Sequence, residues 1–162
     1  MDLQDIKTPG LSCDLHDNPD IKERELALSH KILMSVEKPA RYIGGESGSV
    51  IKDKEKVSVR FAFCFPDSYD IGMSHLGMKI LYSLTNQREA YWCERVFAPG
   101  IDFEEIMRRE NIPLYALESL DPVKDFDFIG FTMQYELSYT NVLNMLDLAG
   151  LPVFAKDRGD EL

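Results

Sequence analysis

Two stretches crowd hydrogen-bonding side chains directly behind an apolar run: Phe65-Pro66-Asp67-Ser68-Tyr69-Asp70-Ile71-Gly72-Met73-Ser74-His75 and Thr132-Met133-Gln134-Tyr135-Glu136. Asp67, Tyr69, Ser74, His75, Gln134, Tyr135 and Glu136 supply carboxylate, phenol, hydroxyl, imidazole and amide groups. Gly72 and Met73 belong to the same first loop. Such a set suits binding a polar or anionic ligand, because a loop that opens a helix also presents free N–H groups and a partial positive charge. The same loops also have a plain reading as strand-to-helix connections in which Ser74 is an N-cap and His75 lies exposed. Asp67 and Asp70 after an apolar strand weakly suggest a receiver-like phospho-acceptor. The acidic pair before that strand and the lysine after the fifth, which such a site wants, are not evident. No GxGxxG follows a strand, and neither GxxxxGK[ST] nor GxSxG occurs. Cys13, Cys64 and Cys93 form no CxxC or CxxxCxxC, and His16, His30 and His75 are scattered, so no metal-ligating set is read and no catalytic residue is assigned.

The elements that must position these loops follow a βα pattern. Val57 to Phe65 alternates and then turns continuously apolar, as a strand entering a parallel sheet does. Met73, Leu76, Gly77, Ile80, Leu81 and Leu84 keep a helical 3,1,3,1,3 spacing and are expected to form one buried face of a helix ending near Asn86. Ala90 to Phe97 reads as a second strand. Asp102 with Glu105 offers a capping box for a helix burying Phe103, Ile106 and Met107. Pro113 to Ala116 suggests a short strand, Asp125 to Met133 a stronger one, Tyr139 to Ala149 a helix stopped by Gly150, and Pro152 to Ala155 a last strand. Upstream, Asp20 and Glu23 can cap a helix running to Val36. The expected fold class is α/β, a doubly wound, mostly parallel, Rossmann-like sheet with an N-terminal helical arm. Its divisions are a flexible arm over 1–19, a helix and turn-rich connector over 20–56, the α/β domain over 57–156 and a tail over 157–162.

Composition narrows the class. In 162 residues, 28 acidic against 18 basic side chains leave a formal charge of −10, which opposes a general nucleic-acid partner. No apolar run approaches the roughly 18 residues of a membrane span, and no basic region leads into an apolar one as in a secretory signal. Three widely spaced cysteines fit a reducing cytoplasm rather than a disulfide framework.

Lys38-Pro39-Ala40-Arg41-Tyr42-Ile43-Gly44-Gly45-Glu46, then Phe65 to Gly77, continued by Ile80-Leu81-Tyr82 and Asn86, resemble the amino-terminal part of a family of large radical S-adenosylmethionine (SAM) proteins, whose first domain is cobalamin-binding-like. Phe128 to Glu136 and Thr140-Asn141 match as well, so the resemblance covers about residues 20–156. It implies a Rossmann-like module, itself not catalytic, that binds a corrinoid or substrate at strand ends or docks a downstream radical SAM barrel. It also implies that the [4Fe–4S] cluster and S-adenosylmethionine belong to that downstream domain, where CxxxCxxC would lie. Cobalamin is thus the one cofactor expected of this part, over Asp67, Tyr69, Gly72, Met73, Ser74, His75, Gln134, Tyr135 and Glu136. The histidine-ligating pattern D-x-H-x-x-G is not reproduced, because His75 stands five residues after Asp70 and Gly77 only two after His75. No cobalt-ligating role is therefore implied for His75. A cofactor-free interaction domain and a receiver-like regulatory domain are the alternatives.

Overall fold

The computed structural model describes residues 30–158. In chain order the regular elements are α1 (His30–Leu33), β1 (Val59–Phe65), α2 (Tyr69–Ser74), α3 (Leu76–Asn86), β2 (Tyr91–Phe97), α4 (Ile101–Glu110), β3 (Phe128–Phe131) and α5 (Tyr139–Leu148). The expected arm over 1–19, the first half of the Asp20–Val36 helix and the last four residues lie outside the described residues.

Both pairings of β1 are parallel and the strand order is β2-β1-β3. The α/β class expected from the sequence is therefore the one found, as a three-stranded, all-parallel, open sheet of Rossmann-like kind. Side chains alternate across β1. Ala62 and Cys64, with Val96 of β2, pack against Phe103, Ile106 and Met107 of α4 and Met145 and Leu148 of α5. Phe63 and Phe65, with Cys93 and Phe97 of β2, pack against Met78 and Tyr82 of α3. Helices thus cover both faces, and continuously apolar strand ends are what such two-sided burial demands. The segment ahead of β1 joins the same core: Val36 and Tyr42 are buried beside α4, and the Tyr82 hydroxyl accepts from Val50 N–H (2.8 Å).

Several expectations need correction. The helix expected through Met73 to Asn86 is two helices broken at His75, whose extended backbone (φ −75°, ψ 113°) resets the helical phase. A spacing counted across that break is out of register. Met78 and Tyr82 face the sheet, and Leu76, Ile80, Leu81 and Leu84 are exposed. Gly100, not Asp102, caps α4; Asp102 instead accepts from Glu37 N–H (2.8 Å). Pro113 to Ala116 forms no strand. Leu114 N–H donates to Leu148 O, Ala116 N–H to Asp121 O and Leu117 N–H to Arg95 O, leaving one isolated bridge between Tyr115 and Pro122. Pro152 to Ala155 is not a strand either. Pro152 has no N–H to pair, its carbonyl accepts from Arg158 Nε (2.9 Å), and a short 3-10 turn follows over Ala155–Asp157.

Candidate functional site

Thr132 N–H donates to Cys64 O (3.0 Å), so the loops leaving β1 and β3 start side by side at the carboxyl edge. In this strand order β1 and β3 flank the point where the winding reverses, the place where open α/β sheets bind ligands. The Asp67 carboxylate accepts from Ser68 N–H (2.7 Å) and lies 3.4 Å from the Tyr135 hydroxyl, while Asn141 Nδ2 donates to Pro66 O (2.9 Å). Gln134 and Glu136 are exposed beside Tyr135. Thr132 Oγ1 is buried at the end of β3 with no hydrogen-bond partner among the described residues.

The remaining expected site residues do not join this edge. Tyr69 opens α2 edge-on to Phe97 (5.5 Å between centroids), and burial followed by the neighbouring Glu46 carboxylate pushes its phenol pKa up. Gly72 is buried, and a Cβ there would lie 2.2 Å from Phe97 Cε1, so it serves ring packing rather than close approach of a ligand. Met73 faces the α3 side, where its sulfur accepts from Arg95 Nη1 (3.2 Å). Ser74 is no N-cap; its hydroxyl donates to Ile71 O (2.7 Å). The cap of α3 is His75, half-buried rather than exposed. Its Nδ1 accepts from Met78 N–H (3.2 Å) and its ring leans on Phe65 (5.3 Å).

That cap decides how a corrinoid could fit. An accepting Nδ1 in a neutral imidazole puts the proton on Nε2, so Nε2 cannot coordinate cobalt unless the cap breaks. His75 does not fit axial ligation. At the carboxyl edge itself the Asp67 carboxylate and the Tyr135 hydroxyl are the polar groups on offer.

Other features were not read from the sequence. Arg41 ion-pairs with Asp70, and Lys38 stands 3.8 Å from the same carboxylate. Arg41 lines a small cavity of about 30 Å³ with Tyr42, Ser68, Tyr69, Phe97 and Gly100. Asp67 and Asp70 therefore have separate partners and do not form the joint acidic pocket of a receiver. Beneath the sheet, Arg95 Nε donates to the buried Glu118 carboxylate (2.6 Å) and its guanidinium lies 4.6 Å from the Tyr82 centroid. On the opposite face Arg60 Nη2 donates to Glu94 (2.6 Å), also buried. Burial pushes both glutamates up in pKa, and Ser119 and Arg60 at Glu94, and Arg95 at Glu118, pull them back. The signal was there: Glu94-Arg95 inside an apolar strand must be paired.

Large apolar side chains ring the carboxyl edge. Leu76 (69% exposed), Ile101 (81%), Leu137 (79%) and Tyr139 (63%) stand at or near the amino ends of α3, α4 and α5, and Ile71, Met133 and Tyr135 are exposed in α2 and the loop after β3. Among the described residues no group of three or more His, Cys, Asp or Glu could hold a metal ion, and no helix is long and apolar enough to cross a membrane.

A family model described as the N-terminal region of radical SAM proteins matches residues 77–162, more than half of the chain. The chain belongs to this family. The matched radical SAM N-terminal region takes in α3, β2, α4, β3, the Thr132–Glu136 loop and α5. It begins just after the His75 loop, so Lys38–Glu46 and most of Phe65–Gly77, on which the resemblance was first read, lie ahead of it. Neither the curated proteins nor the solved structures compared give a match.

Proposed function

We propose that this chain is the non-catalytic leading domain of a radical SAM enzyme, and that its carboxyl sheet edge is the platform on which a ligand meets the catalytic barrel that follows. The ring of exposed apolar side chains around the Asp67–Tyr135 pair carries this reading. Soluble surfaces rarely gather so many large apolar groups unless something covers them. The proposed ligand is a corrinoid that keeps its own axial base. Bound, it would supply a cobalt-carried alkyl group for transfer. Asp67, Gln134, Tyr135 and Glu136 would hold its polar rim, Thr132 Oγ1 would gain a partner, and Met133 and Leu137 would exclude water. Iron–sulfur and S-adenosylmethionine chemistry is assigned to the barrel alone. A reducing cytoplasm suits this assignment, since Cys64 and Cys93 are buried free thiols.

The test is retention of hydroxocobalamin by the purified chain through desalting. Colour should remain with the protein at tens of micromolar corrinoid. The spectrum should be the same for His75→Ala, and retention should weaken roughly tenfold or more for Tyr135→Ala, which removes a hydroxyl from the polar rim. A spectral change in His75→Ala would reverse the assignment of that residue. No retained colour in the chain or in the longer enzyme would leave a cofactor-free docking platform as the better reading.

A further inference from the structure

A groove of about 490 Å³ lies between connector residues 47–50 and α3, and none of its lining residues belongs to the Asp67–Tyr135 platform. That volume suits a small organic molecule. Met73, Met78 and Tyr82 give the groove an apolar wall, and Arg95 lies at its floor with only 9% of its side chain exposed. The guanidinium is unevenly satisfied. Nε donates to Glu118 (2.6 Å) and Nη2 to Ser49 Oγ (2.8 Å), while Nη1 has, among the described residues, only the Met73 thioether (3.2 Å). Sulfur is a weak acceptor, so a buried cationic N–H lacks the oxygen it would have in water. The charges around the groove point the same way. Lys79 also lines it, without an ion-pair partner among the described residues, and no carboxylate does. Glu118 and Glu46, the counter-ions of Arg95, are not part of the lining. Two other large grooves mix the signs, one with Asp125 and Asp127 beside Lys124, the other with Asp147 beside Arg108. In a chain of formal charge −10, a concave surface with two cations and no acid is where an anion meets little repulsion.

We propose that this groove binds a small carboxylate with an apolar body, of the class of short aliphatic acids. Arg95 Nη1 and Lys79 Nζ receive the carboxylate, which takes the acceptor position that the Met73 sulfur now fills. The hydrocarbon part lies along Met78 and Tyr82. A carboxylate is favoured over a phosphate because a guanidinium matches a flat two-oxygen group, and a tetrahedral dianion needs further donors. The thioethers of Met73 and Met78 supply none, and the Asn86 amide in the same groove is already engaged by Cys93 (2.9 and 3.0 Å). The site is independent of the corrinoid reading, since the two rest on different residues.

Methionine methyl NMR on the purified 162-residue chain tests it, with hexanoate as the probe. The Met73 and Met78 methyl resonances, assigned from Met73→Leu and Met78→Leu, should move saturably. The dissociation constant should be near a millimolar, about what so small a ligand can supply. The Met133 methyl, at the carboxyl edge, should stay in place. Hexanol, with the same hydrocarbon chain and no charge, should bind at least about tenfold more weakly, the effect of losing a hydrogen bond to a charged group. Because Arg95 also holds Glu118, the charge is altered at exposed Lys79 instead. Lys79→Glu should weaken hexanoate binding severalfold and leave the melting temperature near its starting value. Movement of Met133 without Met73 and Met78 would put the carboxylate at the other site and overturn the inference. Equal affinity for hexanol overturns it too, as does inorganic phosphate moving the same methyls as tightly as hexanoate. Unchanged affinity in Lys79→Glu, or no saturable movement at all, has the same consequence.

Discussion

At Gly72 the constraint comes from the protein's own rings. Alanine there would press on Phe97 Cε1 at 2.2 Å and Phe65 Cδ1 at 3.1 Å, both well buried. Gly72→Ala should lower unfolding stability in urea by about 1–3 kcal/mol, the range for an overpacked core, without changing ligand retention at the carboxyl edge. The opposite pattern, intact stability with lost retention, would return Gly72 to the ligand. The sequence places Gly72 among polar residues behind a strand, which makes it look like a ligand-cradling glycine. Its real neighbour, Phe97, sits on a strand that sequence order keeps far away. Asp67 and Tyr135 were legible because each directly follows an apolar run, and the sheet then brings the two runs together. Arg41 was not, because nothing in Lys38–Glu46 points to Asp70 until the connector folds back over α2.

Buried charge is the matter decided at the scale of elements. Arg95 of β2 holds Glu118 from the segment after α4, and both side chains are nearly inaccessible. Arg95→Met removes the cation and leaves a buried carboxylate, a loss of roughly 3–5 kcal/mol at neutral pH. Burial already raises the Glu118 pKa with Arg95 present, so without it the folded state prefers the protonated acid still more. A folded value above the unfolded one means stability that is present below the unfolded pKa and lost as pH rises through the folded pKa. The deficit of the variant relative to the parent should therefore be smallest near the ordinary carboxyl range and grow toward neutrality. A deficit that stays constant with pH would show that lost packing on Tyr82, not charge, is responsible. The elements themselves were largely legible: β1, β2, α4, β3 and α5 fall where periodicity puts them. The buried face of α3 was not, since a single extended residue at His75 shifts the phase and no apolar count can register that. The strands expected at Pro113 and Pro152 fail because their backbone groups are claimed by Leu148, Asp121, Arg95 and Arg158.

For the molecule as a whole, the proposal that iron–sulfur chemistry belongs to the downstream barrel predicts how this chain responds to iron. Anaerobic incubation of this chain with iron and sulfide should leave it colourless. Of its three cysteines, Cys64 and Cys93 are buried, with burial pushing the Cys93 thiol up to about 12, and a buried neutral thiol is no cluster ligand. Stable brown colour after desalting would refute the division of labour proposed above. The placement of β1 at the centre of the sheet has one more consequence, for the order in which the molecule forms. Its partners lie at unequal distances along the chain: Arg60 meets Glu94 34 residues away and Asp127 67 residues away. Doubling a closed loop adds only about 0.6 kcal/mol of entropy, so equilibrium scarcely distinguishes the two pairings. Order of synthesis does, because β1, α3 and β2 all precede β3 along the chain and can pair before it is made. The first half of the sheet therefore becomes the template, and the second half is added to a surface that already exists.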